Sequence, residues 1–197
     1  GKDIFIASNG DLYTGRINAS SHVELTSRFG GIFDGFADTK ANLRGISFQL
    51  NAATDIGTAG NALELLQDPG AGMLRLGAKN AFVESENDLS VERIDVGTGT
   101  AELSLQNGSL TFAPKNGEAG LSAGTARITV PGLVTDDEAG TLAIQAGTLE
   151  LKAGGVGAAS PAGIENRLNI NVNTAELAAS GPGAVFRIEE VDNATFS

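Results

Sequence analysis

The chain has 197 residues, 41% of them apolar, and 24 acidic against 13 basic residues for a formal net charge of −11. That charge, with Lys and Arg scattered singly, argues against nucleic acid as a partner. The lack of Cys excludes a disulfide scaffold, thiolate metal sites and a Cys nucleophile, and no apolar run approaches the ~20 residues of a membrane span.

Short runs of alternating apolar residues follow one another along the chain, each ended by a turn signal. In order they are DIFIA from Asp3, HVELT from His22, GISFQL from Gly45, GMLRL from Gly72, AFVES from Ala81, LSVERIDV from Leu89 and AELSL from Ala101. SLTFA from Ser109, ARITV from Ala126, TLAIQA from Thr141, TLELKA from Thr148, LNINVN from Leu168 and AVFRIEE from Ala184 complete the series. Asn9-Gly10, Asn107-Gly108, Asn116-Gly117, Pro131-Gly132 and Gly154-Gly155 separate them. This predicts about a dozen strands. The one helical candidate is NALELL, Asn61 to Leu66, closed at once by Asp68-Pro69-Gly70.

Two all-β architectures fit such a list: an antiparallel sandwich or barrel, and a β-solenoid in which each rung stacks on the last. Asn-Gly alone favours hairpins. Repetition favours the solenoid. The phrase from Asp3 to Ile17 recurs from Ala81 to Ile94, matching Phe5 with Phe82, Asp11 with Asp88, Leu12 with Leu89, Arg16 with Arg93 and Ile17 with Ile94. It returns more loosely from Ala184 to Ser197. A second phrase, Ala53 to Leu65, is echoed by Pro161 to Val172. The expected units are 3–80, 81–183 and the start of a third at 184–197, within one solenoid segment. The spacings Phe5–Phe82 (82 − 5 = 77) and Phe82–Phe186 (186 − 82 = 104) differ by 27, about one extra coil of roughly 20–30 residues. The chain opens on Gly1-Lys2, which predicts a piece of a longer protein.

The pattern carried by Asp3 to Phe5, Gly10 to Leu12, Ile56 to Thr58, Asn61 and Leu63 is repeated by Phe82, Asp88, Leu89, Ile164, Asn166 and Leu168. It resembles the repeats of filamentous-haemagglutinin-like adhesins, giant bacterial surface exoproteins of the two-partner-secretion type. IENRL departs from IGTAGNAL by dropping residues. The resemblance implies a right-handed parallel β-helix, export to the bacterial cell surface or beyond, and a role in adhesion or matrix. It supplies no catalytic residues.

Candidate chemistry is sparse. His22 is the only histidine, set in SSHVELT, and is expected at a rim. A triad would have to pass through it, and a His-based zinc site needs more ligands. Glu84, Glu86 and Asp88 alternate, so on one strand they would share a face. Asp136, Asp137 and Glu138 form a second acidic group. Either offers hard oxygens to Ca²⁺, although no EF-hand loop or calcium nonapeptide is present, and a solvated acidic face explains both more simply. Glycine runs from Val96 and from Gly154 read as corners rather than phosphate cradles. FGGIFDGFADT, with Phe29, Phe33 and Phe36, reads either as a loop that shields the coil or as an apolar patch for a partner.

The expectation is therefore all-β: a single elongated right-handed parallel β-helix of roughly eight to ten coils with almost no helix. Its expected role is a non-enzymatic stalk or fibre without a cofactor, meeting a host or neighbouring-cell surface, a glycan, matrix or copies of itself. The alternative is a polysaccharide-binding or polysaccharide-cleaving β-helix.

Overall fold

Apolar residues at every second position give each strand one apolar side, and the chain buries those sides by winding on itself. The computed structural model describes residues 2–36, 38–137, 141–159, 165–180, 184–192 and 194–196. It is an all-β, right-handed parallel solenoid of about eight turns. One column of ladder partners shows the stacking. Ile4 pairs Val23, Val23 pairs Phe48 and Phe48 pairs Leu74. Leu74 pairs Val91 and Val91 pairs Phe112, and in the neighbouring column Leu76 pairs Ile94, Ile94 pairs Leu121, Leu121 pairs Ile144 and Ile144 pairs Ile170. Among the described residues the antiparallel exceptions are Ala158–Ala159 with Glu165–Asn166 and the bridge Thr58–Asn61. Adjacent strands lie ~4.8 Å apart, so eight coils rise about 38 Å.

Coil length varies. The step from Leu76 to Ile94 takes 18 residues (94 − 76), and the step from Ile94 to Leu121 takes 27 (121 − 94). The ladder tolerates this because extra residues leave at corners without disturbing the paired strands. Early coils are built from short strands such as Leu12–Thr14, Ile17–Asn18 and His22–Ser27. Later coils run almost uninterrupted through Leu121–Asp136, Ile144–Val156 and Leu168–Ala179.

The core is a set of vertical apolar stacks. Leu25, Leu50, Leu76, Ile94, Leu121, Ile144 and Ile170 occupy one stack, each 3% exposed or less. A second column holds Ile32, Ile56, Ala81, Ala101, Ala126, Leu149 and Ala175. Removing one such Leu or Ile side chain from water contributes about 1.5–3 kcal/mol. Parallel sheet suits this interior because each donor and acceptor along the ladder is met by the next coil.

The segment from Asn61 to Leu66 is not helical. Leu63–Gln67 is a strand. Leu63 pairs Val83 above, and Leu65 pairs Leu43 below. Both leucines point inward and are fully buried. Propensity favours helix for this short stretch, but tertiary pairing on both sides overrides it.

The echoed phrases are not stacked on one another. Phe5 belongs to the column Phe5–Glu24–Gln49, whereas Phe82 belongs to the column Phe82–Glu102–Arg127, and Phe186 bridges Val156 on another. The vertical period is one coil, and the phrase recurs on a different face several coils away. What it encodes is a corner. Asp11 precedes Leu12, and its Oδ1 accepts the Gly31 N–H at 2.9 Å, one coil higher. Asp88 precedes Leu89, and its Oδ1 accepts the Ser109 N–H at 2.7 Å. Gly30 and Gly108 lie just before those donors, and a Cβ on either would run into the same carboxylate. Asn80 repeats the arrangement with the Thr100 N–H at 2.9 Å. Each corner thus ties one coil to the next through a short Asx side chain. Asp88→Ala removes the acceptor for Ser109 and is expected to lower stability by about 1 kcal/mol, with Asp88→Asn recovering most of it in urea melts.

Candidate functional site

The outer faces carry charges in vertical sets. Arg75 bonds Glu92 from the coil above, and Lys115 approaches the same carboxylate at 3.6 Å. Arg93 reaches Glu118 at 2.6 Å and Asp95 at 2.8 Å. Burial works against ionising Glu92, but Arg75 and Lys115 outweigh it and hold its carboxyl below the usual range. With Gln49, Asn51 and Gly77, these side chains line a shallow groove along one face of the coil. Its cations are already engaged by acids. Arg127 joins Glu150 at 3.0 Å on another face. Such exposed pairs contribute up to about 1 kcal/mol each.

The acidic candidates from sequence do not converge. The strand Asn80–Ser85 ends before Glu86, so Glu84, Glu86 and Asp88 do not share one strand face. Each has separate work: Glu84 accepts from Gln106, Glu86 from the Ala41 N–H at 2.9 Å and Asp88 from Ser109. Asp136 ends a strand facing inward and is 1% exposed, while Asp137 beside it is exposed. Asp137 lies just past the strand end, so one carboxylate is buried and the other in solvent. Glu138 lies outside the described residues, as does Ile164. Among the described residues, no three His, Cys, Asp or Glu side chains are placed to share a metal ion.

His22 sits at a rim, half-buried, with Nδ1 2.8 Å from the Ser47 hydroxyl and its ring 5.8 Å from Phe5. The Phe-rich segment divides. Phe29 and Phe36 are exposed, and Phe33 is half-buried. Phe33 lies over Tyr13 from the coil below, ring centroids 5.6 Å apart. The Arg16 guanidinium stands 6.0 Å from the Phe36 ring centre. Phe48 and Phe112 are the fully buried phenylalanines.

The same segment covers a polar cluster. Asp34 ends the strand Ile32–Asp34, Asn42 precedes Leu43, and Glu64 follows Leu63. They are 6%, 1% and 5% exposed. Asn42 Nδ2 donates to Asp34 Oδ1 at 2.5 Å, and Asn42 Oδ1 accepts the Glu64 N–H at 3.0 Å. Asp34 Oδ1 also accepts the Phe36 N–H at 2.8 Å. Asp34 Oδ2 and Glu64 Oε2 are buried without a hydrogen-bond donor. Burial, followed by the Asp34 charge, pushes the Glu64 carboxyl up to about 7, against a backbone hydrogen bond that lowers it. Asn42 and Glu64 are one coil apart (64 − 42 = 22), a relation visible only once the coil length is known.

Comparison with family models, curated protein sequences and solved structures returns no match for this chain.

Proposed function

We propose that the chain is a non-enzymatic segment of a large exported bacterial surface protein, serving as a stiff stalk or fibre in adhesion or extracellular matrix. The observation that carries this reading is the coil-on-coil ladder. Parallel backbone pairing continues from Ile4 to the strands around Ile170 and Thr195, and side-chain ties at Asp11, Asn80 and Asp88 cross between coils. Bending such a stack requires many short hydrogen bonds to stretch together, which suits a spacer. Its net charge of −11 favours solubility and opposes nonspecific clumping.

Beads coated with the chain and pressed on cell, glycan and matrix surfaces test the adhesive part. Saturable, specific attachment that soluble chain inhibits is the expected result. Release of reducing ends or unsaturated sugars from a polysaccharide panel would replace this reading with an enzymatic one. One observation favours a glycan as the surface met. Tyr13, 67% exposed, lies against Phe33 on the outer side of the first coils and offers a flat aromatic surface to sugar rings. Loss of attachment in Tyr13→Ala would locate the contact there.

A further inference from the structure

We propose that Glu64 acts as a pH-gated latch, holding residues 38–42 against the coil while its carboxyl is neutral and freeing them when it ionises. Both side chains are more than nine-tenths buried, and each keeps one oxygen, Asp34 Oδ2 and Glu64 Oε2, without a hydrogen-bond donor. An ionised Glu64 in such a place, tied through Asn42 to the strand of Asp34, lacks both water and a donor for Oε2. A proton on Glu64 removes that charge and turns an acceptor into a donor.

The surrounding charges do not relieve the pair. Glu64, on Leu63–Gln67, feels Asp34 from Ile32–Asp34, Glu84 from Asn80–Ser85 and Asp38 from the covering segment, all negative. Glu86, just beyond Asn80–Ser85, accepts the Ala41 N–H. Arg16 is engaged by Asp38 at 2.9 Å, and Arg44 by Asp68 at 2.9 Å. Lys40 is exposed, its N–H donating to Asp38.

Residues 38–42 hang on this cluster. Asn42 bonds both acids' strands: its amide group donates to Asp34 and accepts from the Glu64 N–H, and its own N–H donates to the Glu64 carbonyl at 2.9 Å. Loss of the Glu64 proton leaves uncompensated charge where Asn42 is anchored, and opening the segment lets water reach it. The sign follows from Glu64 lying above its ordinary value. The stabilisation is complete below the unfolded carboxyl range near 4.5 and is lost as pH rises through about 7.

Hydrogen exchange on the whole chain, corrected for intrinsic rates, tests this at the Ala41 and Asn42 amides. Between about pH 5.5 and about pH 8.5, protection at these amides is expected to fall, by up to about tenfold per pH unit below about pH 7 and then levelling off, while core amides such as Leu50 do not change. Glu64→Gln, which cannot ionise, is expected to keep the segment protected throughout. If that variant fails to fold, Asp34→Asn serves: it removes the neighbouring charge but not the burial of Glu64, so the fall is expected to shift in pH rather than vanish. A flat wild-type profile, a fall that persists in Glu64→Gln, or an unshifted fall in Asp34→Asn would overturn the latch. So would recovery of protection on adding Ca²⁺ alone at high pH, which would make the pair a cation site.

Discussion

Phe48→Ala is expected to cost about 3–5 kcal/mol, the range for truncating a fully buried aromatic. Phe48 is 1% exposed and stands in the middle of a stack, above Val23 and below Leu74. Its neighbours cannot collapse into the space, because each is pinned by its own ladder to the coils above and below. Alanine therefore leaves a cavity that stays open. In a stacked fold each coil contacts only its neighbours, so the loss weakens the interfaces on both sides of one coil. Denaturant titration read by hydrogen exchange should show the first three coils opening before the last three. A loss below about 1 kcal/mol, or uniform weakening along the whole chain, would count against this stacking.

Gly57→Ala is expected to be nearly as damaging for a different reason. Gly57 has φ of +65°, in the left-handed region that costs L-residues about 1–2 kcal/mol. It also passes close beneath the next coil. A Cβ there would sit on the Phe82 carbonyl oxygen and lie 2.8 Å from the Leu63 nitrogen. Both are backbone atoms, so the clash is relieved only by moving the ladder, for about 1–3 kcal/mol more. The sum, about 2–5 kcal/mol, should appear as a lower urea midpoint. Gly10→Ala, at a corner where a Cβ meets nothing within 4 Å, serves as the control and should change little.

Much of this architecture was legible in the sequence. Alternation in runs such as His22–Ser27 and Thr100–Leu105 marked strands, and each buries its alternate residues as expected. A scarcity of large aromatics, with apolar positions filled by Leu, Ile, Val and Ala, suited a narrow stacked interior. The Asp-Leu phrase was also read correctly as recurring, but its meaning was not. Asp11 and Asp88 do the same work at corners on different faces, because a corner needs the same short acceptor and the same overhead glycine wherever it falls. Glu84, Glu86 and Asp88 looked like a shared face only so long as the strand was assumed to continue past Ser85.

The amino-acid sequence by itself determined that the chain forms strands and which side of each strand turns inward, because those properties depend on neighbours two positions apart. It did not determine which strands meet. Steps such as the 18 residues from Leu76 to Ile94 and the 27 from Ile94 to Leu121 depend on how many residues each corner expels, and that is decided only when the ladders close. The Asp34–Asn42–Glu64 cluster exists for that reason: Glu64, 22 residues beyond Asn42, joins Asp34 and Asn42 in one buried group only when two coils of particular length lie together.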